Sequence, residues 1–391
     1  MAKPFSLLSR NFICVCAANF LYFGSFYLLM PTLPQYVAGL GGSAGQIGLV
    51  VGALTLASVV VRPYFGKLAD TYGLKRFMLL GSGFFSLLFL AYGHIQAVAP
   101  LYVLRVAHGF AHAAFLVASA AYVADLAPAE RRGEVIGVYG TASVVAMAMF
   151  PALGLAIVRD YGGFPALFAG SVLAAGAAFA LILFVSEVKP GRHRPDRLSL
   201  AAIARRRVVL VASLALFSGA TSYGAIITFL PVYAPERGLA DFGIFFSIYA
   251  VSTLASRVLA GKLSDRIGRR RVILPCMGLV AGAIFLLPQL SSLWLLGFIG
   301  VCFGLGFGAF MPTLNALVVD DTPSQHRGSV LGFFTSFMDV GITTGAVVLG
   351  LAGEHWGYGT MFALGGIVVI GGILVVAAGI RTDAARPHNQ S

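Results

Sequence analysis

"GKLADTYGLKR", Gly66 to Arg76, and "GKLSDRIGRRR", Gly261 to Arg271, are two versions of one segment: six of eleven positions are identical, 195 residues apart. A charged segment written twice is unexpected in a 391-residue chain that is 58% hydrophobic and 11% charged. Soluble domains carry about 25% charged residues, and the mean hydropathy here is +0.88, so the solvent of most of this chain is lipid. The apolar stretches have the length, roughly 17–25 residues, that crosses a bilayer. Twelve can be counted, centred near residues 24, 55, 85, 111, 145, 175, 220, 251, 280, 306, 340 and 370. Helices are expected, because open strands leave backbone groups unsatisfied in lipid and barrel strands alternate in polarity. The first run, Asn11 to Val37, is too long for a cleavable signal and ends at no small-residue cleavage site, so it counts as a span.

Twelve spans place both termini on one side. That side holds Lys3, Arg10, Lys67, Lys75, Arg76, Arg131, Arg132, seven bases between Glu187 and Arg207, five in the second copy, and Arg327, Arg381 and Arg386, which is 22 of the 27. The opposite loops hold Arg159 and Arg237. The positive-inside rule then predicts cytoplasmic termini in a prokaryotic inner (plasma) membrane. The net charge of +12 follows from that topology and from anionic headgroups, so no nucleic-acid partner is needed.

The offset of 195 recurs. "AYVADLAPAERRGEVIG" (Ala121 to Gly137) matches "ALVVDDTPSQHRGSVLG" (Ala316 to Gly332) at eight of seventeen positions, and "LPQYV" after Thr32 echoes "LPVYA" after Phe229 with a two-residue slip. The chain is a duplicated six-helix unit. The expected organisation is a first bundle over 1–186, a basic linker over 187–207, a second bundle over 208–380 and a cytoplasmic tail over 381–391.

With these motifs in register twice, the chain resembles the major facilitator superfamily over nearly its whole length, and is most similar to its twelve-helix drug:proton antiporter group. The resemblance implies an all-α integral membrane protein of twelve transmembrane helices in two pseudo-symmetric bundles, with access alternating around a central cavity. It also implies that Gly66, Asp70, Gly73 and Arg76, with Asp125 and Arg132, and their second-half counterparts Gly261, Asp265, Gly268 and Arg271, form a conformational latch between the bundles. The physical reading of the two segments adds tight turns and close helix approach at Gly66 and Gly73, headgroup contact by Lys75 and Arg76, and an acid placed against a helix N-terminus.

Polar residues inside spans are costly in lipid and mark functional candidates. Asp339 is the only carboxylate near the middle of a span, with Thr335, Ser336 and Thr343 on its face; it is read as a proton carrier, and Ser336 and Thr343 as substrate-cavity residues. Arg105, His108 and His112 fall at i, i+3 and i+7 on span 4. "LYVLRVAHGFAHA" is similar to the family's span 4 signature, in which an arginine precedes Gly109, and this implies a role for Arg105 in proton or substrate handling. Histidine titrates near neutrality, which suits His108 and His112 as relays, and equally as neutral rings bonded to backbone carbonyls. Arg62 and Arg257, matched at 195, are expected to snorkel. In this fold spans 1, 4, 7 and 10 line the cavity, which makes Asn19, Tyr22, Phe23 and Phe26, with Ser218, Thr221, Ser222 and Thr228, substrate contacts, against the alternative that they serve packing. Gly137, Pro151 and Gly154 fit the exporters' span 5 signature, whereas Ala146, Phe150 and Leu155 depart from it. Gly332, Gly341, Gly345 and Gly350 stand in the matching helix of the second half.

Other matches fail on context. "GGSAG" at Gly41 lacks the strand that a nucleophile elbow needs, and "GLGFGA" at Gly304 lies inside an apolar span. Cys14, Cys16, Cys276 and Cys302 have no metal-ligand or disulfide spacing. The expectation is therefore a monomeric, non-enzymatic secondary transporter, with the proton gradient in place of any cofactor and with lipids and a small-molecule substrate as its partners. It exports amphipathic molecules. The alternatives are a symporter or facilitator for a sugar or organic anion bound by Arg105, and a receptor or lipid-handling protein on the same fold.

Overall fold

The structure is a computed structural model that describes residues 7–128, 131–187, 200–323 and 326–380. The basic residues between 188 and 199 and the tail over 381–391 lie outside them, as does the side chain of Arg132. No strand occurs among the described residues. The helices are α1 (Arg10–Leu29), α2 (Leu33–Gly39), α3 (Ala44–Tyr72), α4 (Leu74–Tyr92), α5 (Val98–Leu126), α6 (Arg132–Asp160), α7 (Gly163–Leu183), the short α8 (Leu200–Ala204), α9 (Arg207–Glu236), α10 (Gly243–Ile267), α11 (Arg269–Leu286), α12 (Leu293–Asp320) and α13 (Arg327–Gly379). Eleven stretches among the described residues are long and apolar enough to cross a membrane. The last, α13, breaks at Gly357 (φ 80°, ψ 159°), a conformation that favours glycine, and its two arms over 327–356 and 358–379 complete twelve crossings.

The chain divides into two compact units, Met1–Gly42 with Leu49–His193, and Ser43–Gly48 with Arg194–Ser391. The repeat read from the signature segments extends into the packing of each. A Cβ on Gly109 of α5 would meet Ala57 Cβ at 2.7 Å on α3, and one on Gly304 of α12 would meet Ser252 Cβ at 2.7 Å on α10. Both pairs are related by 195. The next seam keeps its place but exchanges its glycine. Gly81 of α4 lies against the Ala111 carbonyl of α5 (2.9 Å from the Cβ position), whereas in the second unit Gly306 of α12, at the position of Ala111, lies against the carbonyl of Cys276 on α11, at the position of Gly81 (2.6 Å). Small residues on one partner let helix backbones approach closely, and either partner can supply them. The slipped LPxY pair is also matched: Tyr36 Oη donates to the Tyr92 and Ile95 carbonyls (2.8 Å each) at the end of α4, and Tyr233 Oη to the Pro288 carbonyl (3.3 Å) just past α11.

The signature segments themselves are not loops. Helix α3 runs through Gly66 to Tyr72, and a single residue, Gly73 (φ 106°, ψ 135°), turns the chain into α4; Gly268 (φ 95°, ψ 146°) does the same between α10 and α11. These two glycines hold backbone that L side chains avoid. Gly66, expected with Gly73 to permit tight turning and close approach, does neither: a Cβ on it would meet Val117 at an ordinary 3.5 Å, and one on its counterpart Gly261 meets nothing within 4 Å among the described residues.

Candidate substrate and coupling site

The stripe on α5 divides among three neighbours. Arg105, 3% exposed, donates from Nε to the Val50 carbonyl (3.1 Å) and from Nη2 to that of Val51 (3.3 Å) on α3, and the Tyr92 hydroxyl lies beside it. His108 bonds α4: its Nε2 lies 3.1 Å from the Phe85 carbonyl, which can only accept, so that nitrogen carries hydrogen and Nδ1 of the neutral ring accepts from Tyr92 Oη at 3.2 Å. His112 turns to α1, with Nδ1 3.3 Å from Tyr22 Oη. One helix face thus anchors α3, α4 and α1 in turn. His108 is thus held between two partners on α4, and His112 is the histidine that meets the α1 aromatic residues.

That face belongs to α1. Asn19, Tyr22, Phe23 and Phe26 share its stripe, and the His112 ring stacks on Phe26 (centroids 5.2 Å apart, planes at 17°) and Tyr22 (5.9 Å, 16°) while meeting Phe23 edge-on (5.8 Å). Tyr22 stacks in turn on Phe115 at 3.9 Å. Asn19 is fully buried and donates from Nδ2 to the Tyr139 carbonyl of α6 at 3.2 Å, and Tyr139 Oη donates to Ser119 Oγ of α5 at 2.7 Å. Because the Tyr139 carbonyl can only accept, the amide orientation is fixed and Oδ1 is left as a buried acceptor without a hydrogen-bond donor among the described residues. Phe150, a departure from the exporter signature, fills the space above Gly24 of α1, where a Cβ would meet its ring at 2.5 Å.

In the second unit the polar residues of α9 face the helix seams. Ser218 Oγ donates to the Ala215 carbonyl (2.8 Å) and packs on Gly372, Thr221 Oγ1 donates to Phe217 (2.9 Å) beside Gly345, and Ser222 Oγ reaches the Gly365 carbonyl at 3.5 Å. All three are buried, as is Thr228. Of these, Ser218 and Ser222 touch α13 directly, at Gly372 and at the Gly365 carbonyl. Asp339 is half-buried on the first arm of α13, its carbonyl accepting from Thr343 Oγ1 at 2.9 Å; one turn before it Ser336 Oγ donates to the Gly332 carbonyl (2.8 Å), and Thr335 to that of Leu331 (2.8 Å).

The signature residues close contacts inside each unit. Arg269 joins Asp265 (2.6 Å) at the end of α10 to Asp320 (3.2 Å) at the end of α12; the matching position in the first half is Leu74. Lys75, expected with Arg76 at headgroups, is equivalent by 195 to Arg270. Instead Lys75 Nζ donates to the Leu183 carbonyl at the end of α7 (3.0 Å) and Arg270 Nη2 to that of Ala377 near the end of α13 (2.8 Å), where cations suit helix C-termini. The sequence missed Glu187, whose Oε1 accepts from the Lys75 backbone N–H (3.2 Å) in the first turn of α4. Its position as the first residue of the basic linker was the available signal. Asp70 is half-buried; Arg76, Asp125 and Arg271 are exposed. Arg62 and Arg257 are half-buried within α3 and α10, with Arg257 Nη2 3.6 Å from Met311 Sδ. The four cysteines are free thiols, and no metal-holding cluster occurs among the described residues.

This architecture has close structural parallels. A crystal structure of the nucleoside transporter NupG superposes with a TM-score of 0.77 at 14% identity, over 95% of this chain and 100% of that one; the human organic anion transporter MFSD10 does so at 0.67 and 19%, over 94% and 99%. In sequence, a multidrug resistance protein MdtG of Serratia proteamaculans is 26% identical over 92% of this chain and 91% of its own, and a multi-drug resistance efflux pump PmrA homolog of Lactococcus lactis is 27% identical over 87% of each. A family model described as Major Facilitator Superfamily matches residues 15–240 and then 238–391. With both halves matched and the helix order in agreement, this multi-pass membrane protein belongs to the Major Facilitator Superfamily.

Proposed function

We propose that the chain is a monomeric, proton-coupled exporter of amphipathic small molecules that works by alternating access in a prokaryotic inner membrane, with both termini in the cytoplasm. The observation that carries this reading is the α1–α5 face, where Tyr22, Phe23, Phe26 and His112 form one aromatic cluster and the same helix stripe carries a fixed buried acceptor, Asn19 Oδ1. Flat apolar area with a few placed polar groups suits amphipathic ligands. The names of the relatives at 26–27% identity, multidrug resistance protein and efflux pump, point to the same class. The rival reading, import of an anion held by Arg105, loses its ligand: that guanidinium is buried and committed to the Val50 and Val51 carbonyls.

Asp339 is the proposed proton carrier. A charge at mid-bilayer costs about 2.5–3.5 kcal/mol on insertion scales, so a carboxyl retained there is placed to exchange its proton. Asparagine keeps its shape and hydrogen bonding but cannot titrate. In proteoliposomes with ethidium as cargo, Asp339→Asn is expected to keep counterflow exchange and to lose accumulation driven by a pH gradient. A loss of about 1.4 kcal/mol of coupling already lowers the accumulation ratio tenfold. Wild-type accumulation by the variant removes Asp339 as the coupling site, and wild-type protein that moves no cargo under either gradient refutes the exporter reading itself.

A further inference from the structure

The first unit carries a groove that no part of the transport reading uses. It has a volume of about 400 Å³ and lies between the end of α4 and the start of α7, lined entirely by apolar residues that include Phe89, Leu90 and Gly93 on one wall and Pro165, Phe168 and Leu173 on the other. Leu90 and Leu173 form its open lips, at 55% and 73% exposure, while Phe89 and Phe168 are its buried floor. Both walls are membrane-crossing helices, so the groove is continuous with the surface that the protein presents to lipid. Pro165 to Leu173 extends about 12 Å along a helix, a depth contained within one leaflet of a hydrocarbon core about 30 Å thick.

One end of the groove reaches the polar boundary. Tyr36 packs on Phe164 at the start of α7 (5.0 Å) and bonds the Ile95 carbonyl just after α4, which places both turns at one end. His94 is exposed in one turn, and at the other the last turn of α6 presents Arg159 bonded to Asp160 at 2.8 Å, with Tyr161 exposed beside them. A cation and an anion side by side complement a zwitterionic headgroup, and tyrosine favours the headgroup level. We propose that this groove holds one acyl chain of a membrane phosphatidylethanolamine, its headgroup at the Arg159–Asp160 pair.

Occupancy bears on the site already described, because the floor is the reverse side of its scaffold. Phe89 packs on His108 at 4.8 Å, and Phe168 on Tyr92 and Tyr36 at 5.3 Å each. A chain in the groove fills the space behind the rings that hold the His108–Tyr92 bond, and so buttresses α4 against α7. The lipid is a structural ligand here, distinct from any cargo.

The structure supplies its own test pair. Gly93 has ordinary helical backbone (φ −63°, ψ −14°) and open space where a Cβ would stand, so Gly93→Leu adds bulk to the groove lining with no clash at its Cβ. Gly170 on α7 is equally open and does not line the groove, so Gly170→Leu is the control. Native mass spectrometry of detergent-purified protein titrated with palmitoyl-oleoyl phosphatidylethanolamine should show one tightly held lipid on the wild type and on Gly170→Leu. Affinity for that lipid should fall at least tenfold in Gly93→Leu. Equal affinity of Gly93→Leu and wild type overturns the proposal, as does a wild type that retains no lipid or an equal loss in the control.

Discussion

Replacing Arg105 with methionine separates a residue kept for stability from one kept for function. The guanidinium is almost wholly buried, and the groups against it, the Val50 and Val51 carbonyls and the Tyr92 hydroxyl, are neutral. Burying an ion costs several kcal/mol after relaxation. Two hydrogen bonds from a charged donor return about 1.5–3 kcal/mol each, or roughly 3–6 together. The two carbonyls lie inside α3, where helix bonds still satisfy them once the arginine is gone, so no buried acceptor is orphaned. Methionine fills much of the same volume with a flexible apolar chain. The terms nearly cancel, and Arg105→Met should change stability by less than about 2 kcal/mol, where truncation of an ordinary core residue costs roughly 2–5. Transport should fall more than tenfold, because the charge that fixes the register of α5 against α3 is lost. The measurements are thermal unfolding of purified protein and cargo uptake in proteoliposomes. Arg105→Lys, with its point charge unable to fork between two carbonyls, should fall between. A methionine variant that fails to fold, or one that transports as well as wild type, refutes the reasoning.

The glycine seams make sharper local predictions. Gly341→Ala would place a Cβ 2.6 Å from the Phe217 carbonyl and 2.7 Å from Ala220 Cβ, whereas Gly332→Ala on the same helix meets nothing within 4 Å; the first should cost about 1–3 kcal/mol and the second should be neutral or stabilise by up to about 1 kcal/mol, read by thermal unfolding. Gly73→Ala and Gly268→Ala each force an L residue to φ near 100° and should each lose about 1–2 kcal/mol, with Gly66→Ala and Gly261→Ala tolerated in the same assay.

Composition, the twelve apolar runs and the offset of 195 were legible because each is a property of single positions or of their spacing. Lipid imposes helices, and duplication imposes matched motifs, whatever the side chains then touch. What stayed illegible was the choice of partner. Spacing placed Arg105, His108 and His112 on one helix face, and they lie there, yet spacing cannot say that the three address α3, α4 and α1 separately. Phe85, Tyr92 and Tyr22 decide that, and they stand on other helices. Ser218, Thr221 and Ser222 read as polar, but spacing cannot say that the first two hydroxyls close on the Ala215 and Phe217 carbonyls of α9 itself while that of Ser222 reaches the Gly365 carbonyl of α13.

The same limit explains the departures from the exporter signature. Phe150 looks like a lost glycine when α6 is read alone. In the structure its ring occupies the space that Gly24 leaves on α1, while at Gly345, the position matching Phe150, the backbone of α9 at Thr221 and Ala225 comes directly against the glycine. The exchange of Gly81 and Ala111 for Cys276 and Gly306 follows the same logic. A seam conserves the sum of two side chains, not either one. Signatures defined on one helix therefore miss swaps of this kind, and the duplicated halves of one chain, compared pair by pair across their seams, supply the reference that reveals them.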